Sequence, residues 1–250
     1  IEAKDIVAVA PSGQMSTAIP MDKDGNLLLS PVFIWADMRT GKQVQEVCDK
    51  LGGFDAFYNI TAAGLATETY SAFKIAWLRD NMPEILEKTD KFLQAKEYVG
   101  YRLTGEMATD YTDASDTGML DYRTLDWSPE ILKAIGITRD KLPPIRKSSD
   151  ILGKVTAEAA RKTGLLEGTP VVVGGGDVSI AAAGAGVVQE GMCYFYIGSA
   201  MWTGVYSAKP ISDLPSRMLG LASATGKGYT PHHIVFGGGV CYQWVRDLIK

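Results

Sequence analysis

The chain is poor in histidine. Among its 250 residues there are two, His232 and His233, adjacent and preceded by Pro231. A histidine base is therefore nearly excluded by supply, and the pair reads most simply as a loop pair at the start of a strand. Cysteine is scarce as well. Cys48, Cys193 and Cys241 are scattered, odd in number and lack any Cys-x-x-Cys spacing. That argues against a disulfide framework and a cysteine zinc site, and fits a reducing, cytoplasmic setting. Basic residues are slightly outnumbered, 25 Lys and Arg against 29 Asp and Glu, and form no stripe. Nucleic acid and anionic membrane are thus poor main partners. No apolar run is long enough to span a bilayer. Two catalytic signatures are also missing. There is no Gly-x-Ser-x-Gly elbow, and Gly226-Lys-Gly228 lacks the Ser or Thr that a Walker phosphate loop requires.

What is present is a large apolar fraction, 46%, with strand and helix patterns in alternation. This predicts an α/β layered fold with a sizeable core. Asp5–Ala10 reads as a buried strand. The turn Asp22-Lys-Asp-Gly-Asn26 between two apolar runs, 16–21 and 27–34, predicts a hairpin. Helices are expected over 41–51, over most of 71–103 with a break at Pro83 and a short strand at 91–93, and over 157–163. Residues 104–150 read as mixed. Strands are expected at 170–173, 192–197, 201–206 and 233–236, and a last helix from Gly239 with Val240, Trp244, Val245 and Leu248 on one side. The texture changes near 180–190, where a domain boundary is expected. Residue 1 is Ile and the last helix has no Gly or Pro to end it. Both ends read as cut through structure, so a piece of a longer protein is expected.

Three glycine turns stand out: Gly174-Gly-Gly176, Gly198-Ser-Ala200 and Gly237-Gly-Gly239. The first and third precede helical runs, where free amides can meet a phosphate; tight packing is the competing explanation. Asp177 follows the first turn at the end of a buried strand. It can cap the helix that starts near Val178. It can also act as a general base, because strand carboxyl ends face the crevice where α/β folds bind ligands. Phosphoryl transfer needs mainly positioning and charge neutralisation, so one placed carboxylate with Mg²⁺ can suffice.

Several blocks in order resemble the FGGY carbohydrate kinases, in particular their xylulokinase-like branch. They are Gly13-Gln-Met15 with Trp35-Ala-Asp37-Met-Arg39; Tyr70-Ser-Ala-Phe-Lys74-Ile-Ala-Trp77-Leu78 with Pro83 beyond; Thr109-Asp110-Tyr-Thr-Asp113-Ala-Ser115 through Asp121; Gly174-Gly-Gly-Asp177 with Ile197-Gly198-Ser199; and Gly239-Val-Cys-Tyr-Gln243-Trp244-Val-Arg246-Asp247. The resemblance implies an actin-like fold of two ribonuclease-H-like lobes around a cleft. Residues 1–183 would form the sugar-binding lobe and 184–250 the start of the nucleotide-side lobe. It implies ATP and Mg²⁺ as cofactors and a small sugar or polyol as partner, and leaves a homodimer open. Asp177 would be the base. Gln14, Met15, Ser16, Trp35, Asp37 and Arg39 would lie near the sugar, and Gly198, Ser199, Gly239 and Gln243 on the ATP side. No metal ligand is assigned.

Residue chemistry agrees in part. Trp35 offers an apolar face to sugar C–H groups, while Asp37 and Arg39 supply an acceptor and a fork of donors. An ion pair holding a loop explains the last two equally simply. Trp77 and Trp244 read as core, Lys74 as structural or surface, and Asp110 and Asp113 as caps and turn formers. Ser16 stands where xylulokinases usually have His, and Val178 where they usually have Asn, so another ketose or polyol is as admissible as D-xylulose. The family's Asp-x-Gly-Thr phosphate loop would precede residue 1 and its adenosine segment would follow residue 250. The chain by itself is therefore expected to transfer phosphate poorly or not at all. The alternatives are a non-catalytic sugar- or nucleotide-sensing module on the same scaffold, and, less favoured, an actin-like ATPase acting on protein or polyphosphate.

Overall fold

The computed structural model describes residues 2–64, 67–198, 200–235 and 237–249. Two short strands, β1 (Ser12–Gly13) and β2 (Ile19–Met21), lead into four helices, α1 (Gly41–Leu51), α2 (Phe54–Thr61), α3 (Ser71–Asn81) and α4 (Pro83–Lys88). There follow β3 (Lys91–Leu93), α5 (Ala95–Thr104), β4 (Thr109–Asp110), α6 (Tyr111–Asp116), β5 (Leu120–Asp121), β6 (Asp126–Trp127) and α7 (Pro129–Ile135). The next stretch holds β7 (Ile145–Arg146), β8 (Ile151–Lys154), α8 (Ala157–Thr163), β9 (Pro170–Val172), β10 (Gly175–Gly176) and α9 (Asp177–Gly184). Last come β11 (Cys193–Ile197), β12 (Met201–Val205), β13 (His232–Val235) and α10 (Gly238–Leu248).

Local chemistry sets these boundaries. Gly52, Gly105, Gly136 and Gly164 end α1, α5, α7 and α8 in the left-handed conformation that glycine adopts freely. Ser128 and Thr156 cap α7 and α8 through their side chains, and Pro129 starts α7 where its missing N–H costs nothing. Helix α3 is the centre of the main core. Phe73, Ile75, Ala76 and Leu78 are buried against Val47, Phe57, Ile131 and Ile135, with Trp77 partly buried beside them. Among the described residues no helix is long and apolar enough to cross a membrane.

Several expectations change. Asp5–Ala10 is not a buried strand. Ala3–Asp5 is a single 3-10 turn, Val9 alone bridges to Val171, and Val7 is 84% exposed. The Asp22–Asn26 turn forms, with Asp22 N–H donating to Asn26 O at 3.0 Å, but the hairpin is reduced to isolated bridges. The regular partner of β2 is β3, some 70 residues on, while across the hairpin Leu28 N–H still donates to Pro20 O at 3.0 Å. Trp244 is not core: it is 64% exposed, as are most side chains of α10, where Gly238 is the buried residue.

The antiparallel sheet β11–β12–β13 sets its side chains by register. Tyr196 pairs with Trp202 and Trp202 with Ile234, while Tyr194 pairs with Gly204 and Gly204 with His232. Period-two alternation puts these on one face. The two histidines therefore lie within β13 rather than in a loop, and His232 is buried.

Candidate active site

The triple glycine serves packing. Gly175 and Gly176 run parallel to Ser12 and Gly13 of β1. All three amides are used internally: Gly174 donates to Ser148 O at 2.9 Å, Gly175 to Pro11 O at 3.3 Å and Gly176 to Thr112 Oγ1 at 2.8 Å. None is left for a phosphate. At Gly174, φ is +75° and an added Cβ would lie 1.9 Å from the Pro11 carbonyl oxygen. At Gly176 an added Cβ would lie 2.6 Å from Met15 Sδ, so the glycine lets Met15 lie against the turn.

Asp177 comes next as the first residue of α9. The cap position belongs to Gly176, so Asp177 is not the N-cap, and its Oδ1 accepts the amide of its neighbour Val178 at 2.9 Å. The carboxylate lines a cavity of about 260 Å³. Shielding by the walls raises its pKa above the ordinary aspartate value, against the pull of the Val178 amide.

Residues far apart in sequence build that cavity. Gln14, Met15, Ser16 and Trp35 come from the N-terminal segment; Thr67, Thr69 and Tyr70 precede α3; Asp116 ends α6. The sheet closes the other side with Tyr196, Trp202, His232 and Ile234. Tyr196 and Trp202 stack at 3.7 Å with 12° between their planes. Tyr194 ties the sheet to α9: its hydroxyl donates to Val178 O at 3.4 Å and accepts from Trp202 Nε1 at 3.0 Å. Five of the seven residues read as sugar-contacting or catalytic thus share one space: Gln14, Met15, Ser16, Trp35 and Asp177.

Asp37 and Arg39 are not among the lining residues. They pair with each other, Arg39 Nε to Asp37 Oδ1 at 2.8 Å, and the guanidinium lies over the rings of Phe33 at 4.8 Å and Trp77 at 5.3 Å. This arrangement anchors the loop that presents Trp35. On the other side Gly239 N–H donates to Gly198 O at 2.8 Å, which brings two glycine turns together at the start of α10. Gln243 is exposed on that helix. Ser199 lies outside the described residues.

Residue typing alone missed four participants. Asp116 accepts the Ser16 hydroxyl at 2.5 Å. Its pKa is pushed up to about 7, by burial first, with the Asp177 charge adding and the Ser16 bond and Lys74 opposing. Lys74 is fully buried, donates to the carbonyls of Glu68 and Thr69, and is pulled down to about 8 by burial. His232 is pulled down to about 4 by burial and stays neutral at physiological pH. Lys96, also fully buried, sits 3.1 Å from Asp110 and 3.2 Å from Asp113, with Glu97 at 3.9 Å. Asp110 does cap α6, and it also belongs to this buried charge cluster. Burial pushes Asp113 well above the usual carboxylate range in spite of Lys96. No sequence signal marks these contacts, because they join elements whose spacing carries no periodicity.

Among the described residues no cluster of three or more His, Cys, Asp or Glu is placed to hold a metal ion. Mg²⁺ needs fewer protein ligands when it is bound along with phosphates.

Residues 1–184 match the family model for the N-terminal domain of the FGGY family of carbohydrate kinases. The chain belongs to that FGGY family. Xylulose kinase from Bacillus subtilis (strain 168) is 36% identical over 200 residues, covering 80% of this chain and 39% of that protein. An autoinducer-2 kinase from Yersinia enterocolitica is 32% identical over 259 residues, covering 99% of this chain and 46% of that protein. Among solved structures, a xylulose kinase from Rhodospirillum rubrum superposes with a TM-score of 0.89 at 26% identity, covering 97% of this chain and 49% of that one. A gluconate kinase from Lactobacillus acidophilus gives 0.88 at 26% identity, covering 98% and 50%. The chain thus spans half or less of the length of each of these relatives. The fold is the actin-like ATPase fold of the FGGY kinases, and the likeness to their xylulokinase branch read from the residues holds.

Proposed function

We propose that the intact protein transfers the γ-phosphoryl group of ATP to a hydroxyl of a sugar or polyol, with Asp177 as the general base. The observation that supports this most is the position of Asp177: a carboxylate on a helix start, in a cavity of monosaccharide size, between an aromatic wall and hydroxyl-bearing residues. The sugar would lie with its C–H face on Trp35 and its hydroxyls toward Gln14, Ser16 and Asp177. Asp177 accepts the proton of one hydroxyl as that oxygen bonds to phosphorus and the bond to the leaving ADP oxygen breaks. Shielding by the cavity walls raises the pKa of this carboxylate, which makes it the more basic toward the hydroxyl proton it takes. Family membership supports a sugar or polyol, and the relative named for xylulose points the same way.

ATP supplies the phosphoryl group. The nucleotide side rests on the family likeness rather than on free amides: the Gly239 amide is taken by Gly198 O, and an added Cβ at Gly238 would lie 2.1 Å from Met201 Cγ, so these glycines pack the start of α10 against the sheet. Gly198, Ser199, Gly239 and Gln243 are assigned to that side in this proposal, and any Mg²⁺ is held chiefly by the phosphates. The cavity is walled by residues on both sides of 183/184, which supports dividing the chain there into two lobes. The test is ADP release by the intact protein with D-xylulose, other ketoses and polyols. Sugar-dependent release supports the kinase. Sugar binding with no release in the presence of ATP and Mg²⁺ would instead mean a sensor.

A further inference from the structure

Two carboxyl groups line the cavity, and the proposed reaction uses one of them. Asp177 takes the proton, and Asp116, the last residue of α6, has no part in that step. Its position is nevertheless tightly set. Ser16 is buried in the left-handed region at φ 57°, a conformation that costs an L-residue energy. Its hydroxyl meets both Asp116 Oδ2, at 2.5 Å, and the Asp116 carbonyl, at 3.2 Å. The cation that acts on Asp116, Lys74, gives its hydrogen bonds to the carbonyls of Glu68 and Thr69 instead. Among the described residues that line the cavity there is no lysine or arginine.

We propose that Asp116 selects the substrate: with Ser16 it binds hydroxyls of a neutral ketose or polyol, and beside Asp177 it excludes sugars that carry a carboxylate. This rests on the sugar-kinase reading above. A neutral polyol offers an O–H donor to each carboxyl oxygen, the stronger kind of hydrogen bond when the acceptor is charged. A sugar acid brings a third negative group into a walled space that has two already and no cation on its surface, where like charges repel strongly. The question is a live one for this fold, because its structural neighbours include both a xylulose kinase and a gluconate kinase.

The exclusion carries a pH signature. The groups facing Asp116 are Ser16, Asp177 and Lys74, and His232 shares the cavity. His232, held near 4, is neutral throughout the working range. Asp116 itself, raised to about 7, gains its charge as pH rises through neutrality. Lys74, lowered to about 8, loses its charge at the upper end and works in the same direction.

The experiment is competitive binding of D-gluconate against the best-bound neutral sugar among D-xylulose, D-ribulose and xylitol, on the intact protein, at about pH 6 and about pH 8. In the wild type the preference for the neutral sugar should grow by roughly tenfold over that interval, the equivalent of about one unit of coupled titration. In Asp116→Asn, and in Asp116→Ser as a second variant, that growth should shrink to the small part that Lys74 supplies at the upper end, and the preference at the higher pH should fall several-fold. A preference that is flat with pH in the wild type overturns the proposal whether or not the variants fold. So does an unchanged preference in a folded Asp116→Asn protein. Sugar-dependent ADP release in either of those cases leaves the kinase reading standing. If no sugar of the panel binds at all, that reading falls and takes this one with it.

Discussion

The Gly176 amide donates to Thr112 Oγ1 at 2.8 Å, and Thr112 passes its own hydroxyl hydrogen to Asp110 Oδ2 at 2.7 Å. Asp110 is held in turn by Ser148 at 2.6 Å and by Lys96. The residue after Gly176 is the proposed base, so a buried chain of polar contacts runs from α5 to the turn that carries it.

Replacing Thr112 by Val keeps its shape and strands a buried N–H. We expect a loss of about 1–3 kcal/mol in stability, the usual cost of an unsatisfied buried donor. We also expect a fall in kcat larger than any rise in KM, because the base is displaced more than the sugar-binding wall. Urea unfolding and steady-state kinetics of Thr112→Val beside Thr112→Ser check both, and Ser should restore most of the loss.

Lys96 is the ammonium that faces three buried carboxyl groups, Glu97, Asp110 and Asp113. Lys96→Met removes the cation and leaves the acids, which should cost about 3–5 kcal/mol. Adding Asp113→Asn should recover part of that, because the Asp113 carboxyl already resists ionisation. Additive losses in a denaturant-based double-mutant cycle would contradict the coupling.

His232 gives a pH dependence with a definite sign. Its folded pKa is lowered to about 4 from an ordinary 6.5. The unfolded chain therefore binds more protons between those values. The stability it contributes is full above about 6.5 and is lost as pH falls toward 4. Carboxyls with raised pKa values, Asp116 among them, slope the other way, so the comparison is between proteins. From pH 7 to pH 5 the urea midpoint of the wild type should fall relative to that of His232→Gln. Parallel midpoints would contradict the burial of a neutral imidazole.

Gly174 is a conformational requirement. Gly174→Ala forces a Cβ into the Pro11 carbonyl and holds alanine at φ +75°. The sum of strain and overpacking should be about 2–5 kcal/mol. Loss of the cooperative thermal transition near physiological temperature is the expected reading.

How far the sequence carried depends on the range of the forces. Helix α1 was legible at both ends because Gly52 closes it, and α8 because Thr156 and Gly164 bracket it. The strands β11 to β13 were legible from their apolar runs. The first strand was not, because burial depends on what covers each face of the segment, and the Val7 side chain is open to solvent. Trp244 reads as core by residue type, yet nothing local can say that its helix face stays open. Asp116 sat unremarked inside a recognised block, since its meaning comes from Ser16, a hundred positions earlier. The four-membered charge cluster around Lys96 was invisible for the same reason. Trp35 and the carboxylate at 177 stood out because each is chemically odd where it stands, a large aromatic in a loop and a lone acid among glycines.

The account turns on whether the Asp177 carboxylate removes the hydroxyl proton. The direct measurement is made on the Asn variant of that residue in the intact protein, with sugar affinity by calorimetry and phosphorylation by product formation on the same sample. We predict affinity within about threefold of wild type and a rate lower by about 10²–10⁴, the usual span for a lost general base. Phosphorylation at an undiminished rate would contradict it.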